Sequence, residues 1–451
     1  MEQQTFVQHY VDYLFTSKGI FSILIAFPIL LYLHTEIQDP HRNLPRNAIP
    51  GCFQVGLRGK SNLQDQYNIG YDTQSRVPCV KAIYVYPVKS CRGIELPASE
   101  VSGTGLRYDR MFSFAQQVER GPDEDHEPNG KQWRFITQRE YPKLALLATE
   151  LWIPDPRKEE LKRQKQTQPM RPPRASQQPA SEYWARQGGC LIIRFPNETN
   201  PAMLGIRTEF VTLRIPLVPT PQRVHQKNYT SEPMAIWKDV PMSTNITTEI
   251  DTNSLKKLEH FLGMKNPLGL FRVDFDNLRR ISRSLPKDRR DEEFSVGFAD
   301  AFPVHLLSIA SVRDVNTQLP NNASIKDRLE AVRFRANIYV DGVSASAEDE
   351  WMRIAIGRAV AQNGHVEPAQ YHVACRTARC TLPNVHPETG VKDRNEPHAT
   401  MKRTRQVDEG AKPHPCLGLS MIPLFSHGVI RVGDEIDILE TGEHYYEKMF
   451  S

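Results

Sequence analysis

The chain has 451 residues, 24% charged and 39% hydrophobic, with a formal net charge of +4. That length exceeds one ordinary core and predicts two or three domains. The small net charge, with no Gly-rich phosphate loop, no aromatic-and-basic RNA signature and no paired zinc-finger spacing, argues against a nucleic-acid partner. The seven cysteines (Cys52, Cys79, Cys91, Cys190, Cys375, Cys380 and Cys416) are sparse, odd in number and unevenly spaced. They read as thiols in a reducing compartment rather than as a disulfide framework.

The first element is apolar. Gly19 to Leu33 carries no charge, and at 1.5 Å per residue it spans roughly 22 Å, short of the ~30 Å hydrocarbon core. Extending back through Tyr10–Phe15 supplies the length, with Lys18 able to snorkel and Tyr13 and Tyr32 suited to the interfaces. Residues 13–33 are thus expected to be a single-pass anchor within an N-terminal segment 1–34. The early stretch has no Lys or Arg and no small-x-small site follows the run, so an uncleaved anchor is favoured over a signal peptide. Arg42 and Arg46 beyond it place the bulk of the chain on the cytoplasmic side.

Residues 35–78 are polar and rich in turn formers, and read as a linker. Order is expected from Cys79–Pro87, a β-branched and aromatic run ended by proline. Short strands follow at Met111–Gln117, Trp133–Thr137, Leu144–Leu151, Cys190–Phe195 and Val211–Ile215, as in a small β-barrel or sandwich over 79–249. An acidic loop at Gly121–Gly130 and a Lys, Arg, Gln and Pro-rich insertion at 157–182, expected to be disordered, interrupt it. Residues 250–295 read as a helix over Ile250–Leu262 followed by a dense basic loop at Arg279–Arg290. A second, mostly β domain over 296–441 has strands at Val304–Ser308, Ala336–Val340, His365–Ala374, Leu417–Ile422 and Val429–Leu439, and a helix at Ile309–Gln318.

Chemistry concentrates in four places. Cys380 follows Arg379 and precedes a Pro-rich, Gly-ended loop running to Gly390. A thiol beside a guanidinium can be held as a thiolate, the form that ligates soft metals. At Tyr86-Pro87-Val88-Lys89-Ser90-Cys91 a strand ends and presents an ammonium and a hydroxyl together, which suits a phosphate. Arg107-Tyr108-Asp109-Arg110 puts two arginines at the mouth of the next strand. In Arg333-Phe334-Arg335-Ala336-Asn337, strand alternation would place Arg333, Arg335 and Asn337 on one face. Glu348, Asp349 and Glu350 before Trp351 read as charges at a helix N-terminus. A zinc site from Cys375 and Cys380 with His365, His372 or His386 is the competing reading, although the spacing matches no strong zinc pattern.

Together these motifs resemble a known family. Tyr86 through Gly93, Asp109-Arg110 and Thr137 through Leu144 resemble the N-terminal β-barrel of MOSC proteins; Arg333–Asn337, Ala347–Trp351 and Arg379-Cys380 through Gly390 resemble the MOSC domain. With the anchor, the whole looks like the mitochondrial amidoxime reducing component. The resemblance implies an N-terminal MOSC-type β-barrel followed by a β-barrel MOSC domain, mostly β with some α. It also implies a molybdenum cofactor whose metal is ligated by the Cys380 thiolate. Lys89, Ser90 and Arg110 would hold the pterin phosphate, and Arg335 and Asn337 the cofactor near the metal. Arg379 would lie beside them, with Ser308 and Ser311 matching more loosely.

The activity so implied is reduction of amidoximes and hydroxylamines by a molybdenum-dependent oxidoreductase. Electrons would come from cytochrome b5 and its NADH-dependent reductase. The implied location is the mitochondrial outer membrane facing the cytosol, with the endoplasmic reticulum as the alternative. A molybdenum-cofactor carrier or sulfur-transfer module without reductase activity is the other function open at this point. Three departures from the family pattern stand out. The loop between Cys375 and Cys380 is two residues longer than the family's Cys-Ser-Arg-Cys run, Ala336 replaces the usual proline, and Ala301 sits where Thr or Ser is usual.

Overall fold

A β-branched and aromatic run builds the strand Cys79–Val85, which buries Val80, Ala82, Ile83 and Val85 from both of its faces. Its partners show how the molecule is assembled. One edge pairs with Ile94–Leu96, and the other pairs antiparallel with Ile338–Asp341, more than 250 residues away. The strand therefore belongs to the sheet of the C-terminal half. In a computed structural model, residues 48–68, 77–119, 130–157, 182–198, 209–360 and 364–448 are described. The anchor read at 13–33, the core of the insertion at 157–182 and the acidic loop around 121–129 lie outside them. Among the described residues no helix is long and apolar enough to cross a membrane.

The fold is mostly β with few helices. A closed five-stranded barrel takes Thr230–Ala235, Met242–Asn245, Leu268–Val273, Phe112–Glu119 and Lys131–Phe135 in that order. A four-stranded antiparallel sheet runs Cys52–Val55, Ala148–Pro154, Cys190–Pro196 and Phe210–Pro216. The third body is an 11-stranded sheet rather than a second closed barrel. Besides Cys79–Val85 it recruits Ala98–Ser102, which pairs with His427–Arg431. The two halves share this sheet because apolar faces from both meet in one core, where Val80, Phe112, Ile338 and Met421 are all buried. Each such side chain contributes roughly 1.5–3 kcal/mol relative to exposure.

Two of the segment boundaries shift. Residues 48–68, read as linker, are partly structured: Cys52–Val55 is an edge strand, and Ile49 and Leu63 are buried. Gln66 donates to Leu329 O at 2.9 Å and accepts from Ala331 N at 3.0 Å. Polar side chains make these attachments, so hydrophobic periodicity gave no sign of them. Leu268–Val273, read as connecting chain, pairs with Phe112–Glu119 in the barrel. The expected helix is present at Thr252–Leu262, capped by Asp251, whose carboxylate accepts from Ser254 N at 2.9 Å, and ended by Gly263 at φ 71°. Most expected strands appear within a residue or two. Leu144–Leu151 divides into a 3-10 turn at Pro142–Leu146 and a strand from Ala148, and the first basic residues at Arg279–Ile281 form a short strand with Phe294–Val296.

Candidate active site

The strand Val366–Ala378 delivers Arg379 and Cys380 at its end, with the short turn Leu382–Asn384 just beyond. Cys380 is partly exposed and opens onto a cleft of about 350 Å³. Lys89, Ser90, Arg110, Arg335, Asn337 and Arg379 line the same cleft. Residues from 89–110, 137–139, 299–305, 334–337 and 375–383, among others, are thus gathered around the Cys380 thiol. Ser90, Arg110 and Arg335 all have positive φ (66°, 43° and 54°), a conformation that non-glycine residues adopt rarely and that recurs at ligand sites.

The basic residues are held in different ways. Lys89 Nζ donates to Asp300 Oδ1 at 2.6 Å and to Phe298 O at 2.8 Å. Burial pulls the Lys89 ammonium below the usual lysine range, and the Asp300 carboxylate pushes back. Arg110 Nη1 donates to Asp109 at 2.5 Å and to Asn337 Oδ1 at 3.0 Å, while Nη2 donates to Arg335 O at 2.9 Å. Arg335 donates to Cys91 O at 2.7 Å. The Arg335 and Arg110 guanidinium carbons stand 4.1 and 4.7 Å from the centre of the Tyr86 ring, which organises both cations. Gly93 makes room for that ring, since a Cβ there would stand 2.5 Å from it. Two cleft atoms, Thr137 Oγ1 and Arg335 Nη2, are buried with no hydrogen-bond partner among the described residues.

Several expectations need correction. Arg333, Arg335 and Asn337 do not share a strand face: residues 331–334 form a 3-10 turn, Arg335 is left-handed, and the strand begins only at Ile338. Arg333 turns away to Glu330 and to the Pro383 carbonyl. Ser308 and Ser311 do not line the cleft. Ser308 is buried ahead of the helix Ile309–Thr317, and Ser311 donates to Glu348 Oε1 at 2.6 Å. Glu348 and Asp349 lie within a 3-10 turn, and Asp349 takes a bidentate contact from Arg405. Among the described residues no group of three or more His, Cys, Asp or Glu side chains gathers as a metal site. Cys375 is buried among apolar side chains, and burial pushes its thiol well up.

Sequence reasoning missed His305, Asp300, Arg139 and Trp237, which also line the cleft. Arg139 lay within a quoted motif, and its guanidinium stands 4.8 Å over the Trp237 ring. His305 gave no local signal. Burial, then the nearby Arg379, push its imidazole well below the usual range, so it is neutral near pH 7. Burial also pulls Arg379 down to about 10, still protonated at neutral pH.

Residues 77–183 match the MOSC N-terminal beta barrel domain, and residues 293–437 match the MOSC domain. The chain is a MOSC-domain protein. Mouse (Mus musculus) mitochondrial amidoxime-reducing component 1 is 25% identical to it over 371 residues, covering 81% of this chain and 83% of the relative. Rat (Rattus norvegicus) mitochondrial amidoxime reducing component 2 is 23% identical over 374 residues, covering 80% and 83%. Human component 1 is 34% identical over 158 residues, 34% of this chain and 40% of the relative. This MOSC-domain protein therefore resembles the mitochondrial amidoxime-reducing components along four-fifths of its length. The site above spans both matched regions, with Lys89, Ser90 and Arg110 in the first and Asn337 and Cys380 in the second.

Proposed function

We propose that this chain is a molybdenum-cofactor oxidoreductase that reduces N-hydroxylated compounds such as amidoximes and hydroxylamines. The observation that carries the reading is the convergence of one partly exposed thiol, Cys380, with Lys89, Arg110, Arg335 and Arg379 on a single cleft. The residues fit such a group. A thiolate is a soft ligand suited to molybdenum, and clustered ammonium and guanidinium groups suit a phosphate. The orphaned Arg335 Nη2 and Thr137 Oγ1 have polar capacity that a heterocycle edge or phosphate oxygen would meet.

Cys380 would ligate the metal, Lys89, Ser90 and Arg110 would hold the phosphate, and Arg335 and Asn337 would face the cofactor near the metal. When bound, the cofactor supplies the two-electron couple needed to remove oxygen from an N–O bond. The protein's own share is to fix the thiol, to neutralise phosphate charge and to shape the cleft. Phe302, Val304, Phe334 and Pro383 on its wall favour substrates with an apolar body. Cytochrome b5 and its NADH-dependent reductase are the proposed electron donors. Residues 13–33 are the proposed anchor, in the mitochondrial outer membrane; the names of the relatives support a mitochondrial location and no more.

Molybdenum and pterin content of the purified full chain tests this, wild type against Cys380→Ser. Wild type should carry near-stoichiometric metal and reduce benzamidoxime with the cytochrome b5 system; Cys380→Ser should lose the activity. Absence of molybdenum from the wild type, or full activity of the variant, refutes the reading. Bound cofactor with no turnover would move the chain to the cofactor-carrier class.

A further inference from the structure

The Arg379 guanidinium turns inward, away from solvent. Nε donates to Leu417 O at 2.8 Å and Nη1 to Phe334 O at 3.1 Å. Nη2 meets His305 Nε2 at 2.5 Å, the one side-chain acceptor that Arg379 finds among the described residues. Arginine has donors only, so the shared proton comes from Arg379 and Nε2 carries a lone pair. The imidazole is therefore neutral with its proton on Nδ1, which suits its backbone hydrogen bond at Arg335.

His305 is itself tightly held. Its N–H donates to Asn337 Oδ1 at 3.1 Å, and its carbonyl accepts from Asn337 N at 2.8 Å. Space for the ring is kept by Gly418, at φ 77°, where a Cβ would stand 2.8 Å from Nε2. The ring thus links the Arg335 segment to the residue directly before Cys380. It does so at the end of the strand Val366–Ala378, which holds Cys375 through Ala378 rather than a loop.

We infer that His305 is a positioning residue for Cys380: by accepting from Arg379 it fixes where the thiol stands in the cleft. This rests on Cys380 being the working thiol of the proposed function. Without the acceptor, a buried guanidinium donor is orphaned, and Arg379 with its neighbour is released toward water.

Iodoacetamide alkylation of Cys380 in the full chain, produced without molybdate and followed by peptide mass spectrometry, reads this directly. His305→Leu should raise the Cys380 rate about five-fold or more, the size expected from one lost hydrogen bond. His305→Gln, whose amide oxygen can accept from Arg379, should return it to within about two-fold of wild type. The buried Cys375 and Cys416 report the fold and should stay slow throughout. An unchanged Cys380 rate in a folded His305→Leu protein overturns the inference. If that variant unfolds, Arg379→Lys replaces it: the fork is lost while the charge is kept, and an unchanged Cys380 rate there also overturns it. Metal content is read separately. In protein produced with molybdate, absence of the metal alongside the Cys380 response refutes the function alone, and bound molybdenum without the response refutes the positioning alone.

Discussion

Asn337 Oδ1 accepts from Arg110 Nη1 at 3.0 Å and from His305 N at 3.1 Å, so one amide oxygen joins the Asp109-Arg110 turn to the Cys380 side of the cleft. Its Nδ2 donates to Tyr84 O at 3.1 Å. Asn337→Ala would orphan a guanidinium donor, a backbone N–H and a carbonyl at once. The expected cost is about 2–3 kcal/mol of stability, read by chemical denaturation, together with reduced molybdenum content of the purified protein.

Lys89 shares its charge with Asp300. Asp300→Asn would raise the net positive charge of the cleft by one. We expect inorganic phosphate to bind the cofactor-free chain about 3- to 10-fold more tightly in this variant, and about 10-fold more weakly in Lys89→Met. Calorimetric titration at low ionic strength measures both.

Glu348 titrates in an unusual range. Burial, together with the Asp349 charge, raises its carboxyl to about 7 from an ordinary 4.5 despite a hydrogen bond from Ser311. Between those values the native state binds more protons than the unfolded chain, so stability falls as pH rises from about 4.5 to about 7. The loss is on the order of 3 kcal/mol. Glu348→Gln should flatten that slope and be the more stable protein at pH 8, as thermal melts across pH 4.5–8 would show.

Gly93 faces the Tyr86 ring. Gly93→Ala places a methyl 2.5 Å from a ring carbon. Since Tyr86 is also packed by Arg110 and Arg335, it has little freedom to retreat. A destabilisation of about 1–3 kcal/mol is expected, with loss of cofactor retention exceeding that of an equally destabilising surface variant such as Asp251→Ala, which removes a helix cap worth about 1 kcal/mol.

Much of the site could be read in the chain. Lys89, Arg110, Arg335, Arg379 and Cys380 come together because each sits in a short motif at the end of a strand, where polar groups and turn residues interrupt the apolar alternation. What escaped depends on partners distant in sequence. His305 looks like an interior position of the strand Val304–Ser308, and only the arrival of Arg379, just past the end of the strand Val366–Ala378, gives it a role. Ser308 falls outside the cleft for a related reason: it is three positions further along, so strand alternation sends it to the opposite face. The shared sheet was hidden too, because Cys79–Val85 reads as the same apolar, β-branched run whichever partner it takes.

The pairing of Cys79–Val85 with Ile338–Asp341 has a consequence for biosynthesis. On the ribosome the first strand emerges long before its partner, and contacts so far apart in sequence are slow to close. The barrel can gather as soon as Leu268–Val273 is made, yet Lys89, Ser90 and Arg110 acquire the far wall of their cleft only after Arg335, Asn337 and Cys380 have been translated. A nascent or truncated chain would therefore expose an apolar strand to chaperones and offer cofactor no complete pocket, which makes cofactor loading a late event in the life of the polypeptide.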